Sequence, residues 1–313
     1  MVKETSNKNE KEPSLAFGGQ ALIEGVMIRS RSHMVLCVRK PNSEIITNVE
    51  EVKSLSQKHR ALGVPFIRGI VALPETLYLG FKGLFFSANA AIEEEEGGES
   101  EKFTWKEFAV AIALALGMAS VFFVAPLFFT TWLLNLFNLS ENLFLFNVTE
   151  AVIRLMLFLA YLTAIASWGQ FRRVLQYHGA EHKAINALEA GAQMNVENVR
   201  KYSRLHPRCG TSFIFITVIV SIVLFSLIPS SDFFIRLSSR VLLIPVIAGL
   251  SYELLRLSGK YKDSPITKIL TFPGVTFQRL TTKEPSDEML EVSIKAVCEA
   301  TRLTSALAKQ NPD

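Results

Sequence analysis

FAVAIALALGMASVFFVAPLFFTTWLLNLFNLS, residues 108–140, contains no Asp, Glu, Lys or Arg. About twenty apolar helical residues cross the hydrocarbon core of a bilayer, so this run crosses with residues to spare, and Pro126 is placed to kink it. Residues 155–171 are also uncharged, starting just after Arg154, and so are residues 210–231, GTSFIFITVIVSIVLFSLIPSS. Residues 233–257 are apolar overall but include Arg236, Arg240 and Glu253; the two arginines are expected to snorkel at one end. These runs predict a mainly α integral membrane protein with about four transmembrane helices, at 106–136, 151–171, 210–230 and 233–257.

The bulk numbers agree. In 313 residues there are 23 Phe and only 20% charged residues, and the mean hydropathy is +0.28. The net charge of +4 is modest and its basic residues flank apolar runs, which orients a chain in a membrane and makes lipids the first partners. No basic, aromatic-interleaved surface points to nucleic acid. The three cysteines, Cys37, Cys209 and Cys298, are far apart and odd in number, which argues against a disulfide framework. The connection at 135–150 carries no Lys or Arg, whereas that at 172–208 carries seven. The positive-inside rule therefore puts the 172–209 loop and both termini in the cytosol, with Arg236 and Arg240 as exceptions.

Polar parts fill the remainder. Residues 1–14 read as a disordered tail without the apolar core of a signal peptide. Residues 15–60 read as a small β-rich cytosolic unit, because SHMVLCVRKPNSEIITNV has two β-rich runs around Pro41-Asn42-Ser43. Residues 61–92 form an amphipathic segment interrupted by Pro74, with Arg68, Glu75 and Lys82 on one stripe. It is expected to be interfacial or re-entrant, or else a soluble hairpin packed on the β unit. Residues 93–103 form an acidic linker. Residues 258–313 are a cytosolic C-terminal region with a helix whose Met289, Val292, Ile294, Val297 and Leu303 pack on the cytosolic unit, Cys298 being read as core.

The loop carries the chemistry. LQYHGAEHKAINALEAG, residues 175–191, reads as a helix ended by Gly191. At about 100° per residue, His178, Glu181 and His182 share a face with apolar residues. Two imidazoles one turn apart can chelate a divalent ion, and the neighbouring Glu can act as base toward a water there. The same residues also suit a helix that buries two neutral histidines and pairs Glu181 with a nearby Arg or Lys. Three of the five histidines, His178, His182 and His206, fall in this loop, and RLHPRCGTSF adds Cys209 two residues from a proline turn. Glu253, near the cytosolic end of the last run, is the expected third ligand, with His206 and Cys209 as alternatives. If His178, His182, His206 and Cys209 all bind, the site is closed and structural. If Glu253 binds, one position stays open. Lys201, Arg204 and Arg208 are candidates to orient an anionic substrate group, or simply membrane-facing charge.

GGQALIEGVMIR, YHGAEHKAINA, VRKYSRLHPRCGTSF, SYELLRLSGK and PGVTFQRLTTKEPSDEMLEVSI resemble the YqhQ family of bacterial membrane proteins over roughly residues 17–297. The resemblance implies a multi-pass protein of the bacterial cytoplasmic membrane and a metal-dependent enzyme, with the site at His178, Glu181 and His182 and the His206–Cys209 turn as a second hallmark. The expected function is a zinc-dependent, or other divalent-metal-dependent, hydrolase at the cytosolic face. Its substrate would be a peptide or lipid-linked, or it would act on a membrane protein. The alternative is a non-catalytic scaffold or assembly factor whose His/Glu/Cys cluster is structural.

Overall fold

Alternation with both faces apolar builds the N-terminal unit. The computed structural model describes residues 17–92, 105–228, 230, 232–261 and 264–310; the tail expected at 1–14 and the acidic linker at 93–103 lie outside the described residues. Strands β1 (Gly18–Leu22), β2 (Gly25–Arg29), β3 (His33–Arg39) and β4 (Ile45–Glu51) form an antiparallel sheet in the order β1-β2-β3-β4. The hairpin expected at Pro41-Asn42-Ser43 joins β3 to β4: Asn42 Oδ1 accepts from Glu44 N–H at 2.9 Å and Ser43 takes a φ of 70°. The centre strands are buried on both sides, as a covered sheet requires.

A short helix α1 (Leu55–Lys58) leads to α2 (Ile67–Ile92), which runs unbroken through Pro74. Its small residues Gly80, Gly83, Ser87 and Ala90 are buried, and Leu79 and Ala90 join Leu22, Met27, Met34, Leu36 and Val38 on one sheet face. The polar stripe is spent within the protein. Glu75 pairs with Arg29 of β2 at 3.3 Å, Lys82 with Glu50 of β4 at 2.5 Å, and Arg68 with Glu253. Leu77 and Tyr78 point outward instead, so α2 carries its charges inward and part of its apolar surface outward.

Four helices follow: α3 (Trp105–Asn135), α4 (Leu143–Ser167), α5 (Gly169–Glu189) and the short α6 (Val196–Val199). Then come α7 (Gly210–Ser226), α8 (Phe233–Leu242), α9 (Ile244–Lys260), α10 (Pro265–Thr281) and α11 (Asp287–Gln310). Helices α5 and α11 cover the second sheet face. Val26, Ile28, Val35 and Cys37 meet Tyr177, Ala180 and Ala184 from α5 and Leu290, Val292 and Val297 from α11. The C-terminal helix thus docks as its pattern predicts, but Cys298 is exposed rather than core.

Among the described residues, Ile67–Ala91 and Leu143–Ser167 are long and apolar enough to cross a membrane. A third candidate arises if α8 and α9, bent by 47°, count as one; Val124–Asn135 and Gly210–Ser226 are shorter apolar stretches. The run at 233–257 is therefore two helices. Pro245 has no N–H to give to the preceding turn, and the chain breaks at Leu243. The two arginines of α8 do not snorkel. Phe234, Ile235, Val241 and Leu242 face out while Arg236 and Arg240 are buried. Arg240, 1% exposed, donates from Nε to Glu150 Oε1 at 3.2 Å and from Nη2 to Oε2. Arg154 donates to the same carboxylate at 2.5 Å. The faces of Phe225 and Phe146 lie against these guanidiniums, which compensates part of their desolvation.

Candidate metal centre

Helix α5 is stopped by a left-handed glycine. Gly191 has φ +67°, its N–H meets Leu188 O at 2.9 Å, and Ala192 N–H meets Ala187 O at 3.0 Å, which satisfies the last carbonyls. The alanine side of the helix packs in the core, which leaves His178, Glu181 and His182 on another side.

Carbonyl oxygens orient both histidines. His178 Nδ1 is 2.8 Å from Thr281 O, and His182 Nδ1 is 2.7 Å from Arg204 O. A carbonyl can only accept, so each Nδ1 carries a proton, and in the neutral form of each ring Nε2 is the atom with the lone pair. His178 Nε2 points at Cys209 Sγ, 3.2 Å away, and the rings of His178 and His182 are 4.4 Å apart. The donor atoms of His178, His182 and Cys209 all lie within 4.8 Å of one another, close enough to hold a metal ion. Burial, with His178 beside it, holds the His182 pKa well below the usual imidazole value, so the ring is neutral and ready to ligate. Burial pushes the Cys209 thiol up, against hydrogen bonds from Thr211 and Gly210 at the start of α7.

Glu181 lies beside this trio, 4% exposed, and its Oε2 has no hydrogen-bond partner among the described residues. Desolvation pushes its carboxyl up to about 8; His178 opposes that rise and Cys209 adds to it. Ion-free, Glu181 is therefore protonated at neutral pH. A Cβ on Gly19 of β1 would overlap the carboxyl, so a larger residue there would force the Glu181 side chain to shift. On the helix's other flank, the segment between α10 and α11 crosses at Gly179. A Cβ there would overlap Lys283 O, and Lys283 N–H donates to Leu175 O at 2.8 Å. That crossing brings the Thr281 carbonyl to His178.

The other expected site residues lie as follows. His206 is a neighbour, its ring 5.8 Å from that of His182. Gln278 fixes its backbone, accepting from His206 N–H at 2.7 Å and donating to His206 O at 2.7 Å. His206 Nε2 is 3.5 Å from Glu189 Oε1. Glu253 is not brought to the histidines: its carboxylate takes two bonds from Arg68, at 2.7 and 2.5 Å, and one from Phe66 N–H at 3.2 Å. Arg208 pairs with Glu189, Arg204 donates to Thr282 O and faces Glu284, and Lys201 faces Glu197. Each of these three cations thus has an acidic neighbour, Glu284 being shared with Lys183 and Glu189 with His206. Gly19, Gln278 and Thr281 went unread in the sequence. They lie within the long motifs quoted above, but no ligand type or periodicity marks them.

A chain with apolar helices of membrane-crossing length, a covered four-stranded sheet and a His-His-Cys group defines a class: a mainly helical protein with a small antiparallel sheet and a candidate metal centre. It belongs to the YqhQ family. The family described as "Protein of unknown function (DUF1385)" matches residues 64–303. The chain is 38% identical over 308 residues to "Uncharacterized protein YqhQ" of Bacillus subtilis (strain 168), covering 95% of each. No solved structure matches it.

Proposed function

We propose that this chain is a multi-pass protein of the bacterial cytoplasmic membrane, with its sheet unit in the cytosol, and a zinc-dependent hydrolase of peptide or lipid-linked substrates. The observation that carries the catalytic part is Glu181, a buried carboxyl with an unpartnered oxygen beside three metal-type donors. The membrane part is supported by α8, whose apolar side chains face out and whose arginines face in, the reverse of a helix in water. About four crossings, made by α3, α4, α7 and the bent α8–α9 pair, fit the Lys and Arg distribution.

His178, His182 and Cys209 would hold the ion, the N₂S set that zinc accepts. Three protein ligands leave a fourth position for a small molecule, as catalytic zinc requires. A bound ion supplies Lewis acidity toward water and a substrate carbonyl. The protein's own groups do the remainder. Thr281 and Arg204 hold the imidazoles in one tautomer. Glu181 takes a proton from water as its oxygen bonds to the carbonyl carbon. The C–N or C–O bond then breaks, and Glu181 returns the proton to the leaving atom.

Metal analysis of the detergent-purified protein tests this, beside the His178→Ala/His182→Ala double variant. About one zinc per chain, lost in the variant, is expected. No metal in either, after chelator-free purification and attempted reloading, would leave the scaffold reading, in which the cluster merely ties the loop down. Affinity should also depend on pH. The ion-free site holds protons on Glu181 up to about 8 and on the raised Cys209 thiol, and a cation must expel them. Zinc affinity should therefore rise with pH, by up to about tenfold per unit for each proton expelled. Chelator competition at about pH 6 and about pH 8 measures it; equal affinities would mean the protons are not displaced.

A further inference from the structure

The hydrolase reading leaves the substrate open between a peptide and a lipid-linked molecule. The relation of β1 to α5 narrows it. Helix and strand run antiparallel. Arg173 pairs at 2.5 Å with Glu24 in the β1–β2 turn, Tyr177 Oη donates to the same carboxylate at 3.3 Å, and Glu181 lies against Gly19. About the axis of α5, Tyr177, Ala180 and Ala184 turn one way from Glu181, into the core shared with α11. His178 and His182 lie on the other side, about 60° and about 100° around from Glu181. The donor trio therefore sits alongside β1, on the flank away from the core.

Among the described residues, that flank is an open edge of the sheet. Strand β1 pairs, among the described residues, with β2 alone, and Gly18 and Gly19 are exposed. The register ends at Leu22↔Gly25 around a two-residue turn. In such a hairpin Leu22, Gln20 and Gly18 exchange bonds with β2, and the amides and carbonyls of Gly19 and Ala21 point outward. Among the described residues, no backbone bond from outside the sheet reaches either one.

We propose that the substrate is an extended polypeptide that adds to β1 as a further strand, pairing with Gly19 and Ala21. Its backbone then runs over His178, His182 and Cys209, with Glu181 on its flank. Strand addition fixes a main chain without regard to sequence, which suits an endopeptidase acting on unfolded or loop segments. A lipid-linked substrate without a run of amides could not use this edge. The missing Cβ of Gly19 lets the Glu181 carboxyl lie directly against the strand. This inference rests on the hydrolase reading.

Two arms test it, with a tryptic digest of denatured casein as the probe. In the first, hydrogen exchange is followed across β1 in Glu181→Gln protein loaded with zinc, with and without the peptides. Slowed exchange at Gly19 and Ala21 is expected; unchanged exchange at both would overturn strand addition. In the second, Ala21→Pro removes one outward donor and spares the bonds to β2. Cleavage of the peptides should fall about tenfold in kcat/KM with zinc content unchanged. Wild-type cleavage by Ala21→Pro would overturn strand addition and leave the hydrolase standing. No cleavage of any peptide by zinc-loaded wild type would count against peptide hydrolysis itself, and the exchange arm would still decide whether β1 takes a strand.

Discussion

Glu181→Gln is expected to keep its zinc and to lose about 10²–10⁴-fold in turnover. The metal stays because Glu181 is not one of the three converging donors. The fold stays because the ion-free carboxyl, raised to about 8, is already neutral at pH 7, and Gln is a neutral group of the same shape. What disappears is the ability to take and return a proton. Zinc stoichiometry, thermal unfolding and peptide cleavage, measured on one preparation, separate these effects. A variant that loses zinc would make Glu181 a ligand. A variant with undiminished turnover would remove it as the base.

The largest loss of stability is expected from Glu150→Ala, about 3–5 kcal/mol. One carboxylate there serves two guanidiniums that cannot lose their charge, and both of its oxygens are engaged. Its removal leaves Arg154 and Arg240 facing each other in an apolar layer, with the face of Phe225 and a few hydroxyls and carbonyls as compensation. Lys82→Ala is the control. Its pair with Glu50 is half exposed, so its loss should cost under about 1 kcal/mol. Thermal unfolding in detergent compares the two. If Glu150→Ala unfolds where Lys82→Ala does, water reaches the cluster and the interior is wetter than the burial implies.

What the sequence revealed and what it hid follow from range. Local patterns were legible. The β3–β4 hairpin, the Gly191 stop, the stripe of Arg68, Glu75 and Lys82, and the H-x-x-E-H spacing each lie within one element. Pairing across the chain was not. Nothing local says that Glu253 answers Arg68, 185 residues away, and so is unavailable to the histidines. Nor does anything local say that Arg240 turns inward to Glu150. Cys209 is reached as the third donor only once α7 starts beside α5. The atoms that orient the imidazoles are main-chain carbonyls, which every residue has, so nothing marked Thr281 at all, and Arg204 was marked only for its charged side chain.

The order in which these parts leave the ribosome matters. His178, His182 and Cys209 emerge well before Thr281, whose carbonyl fixes the His178 ring, and before Gln278, which clamps the His206 turn. A growing chain therefore displays its donors before it can aim them. On the proposed metal reading, capture of an ion in the right geometry would wait until α10 has been made and has brought Thr281 to His178. A product cut short before residue 281 would carry the three donors but not the carbonyl that aims His178.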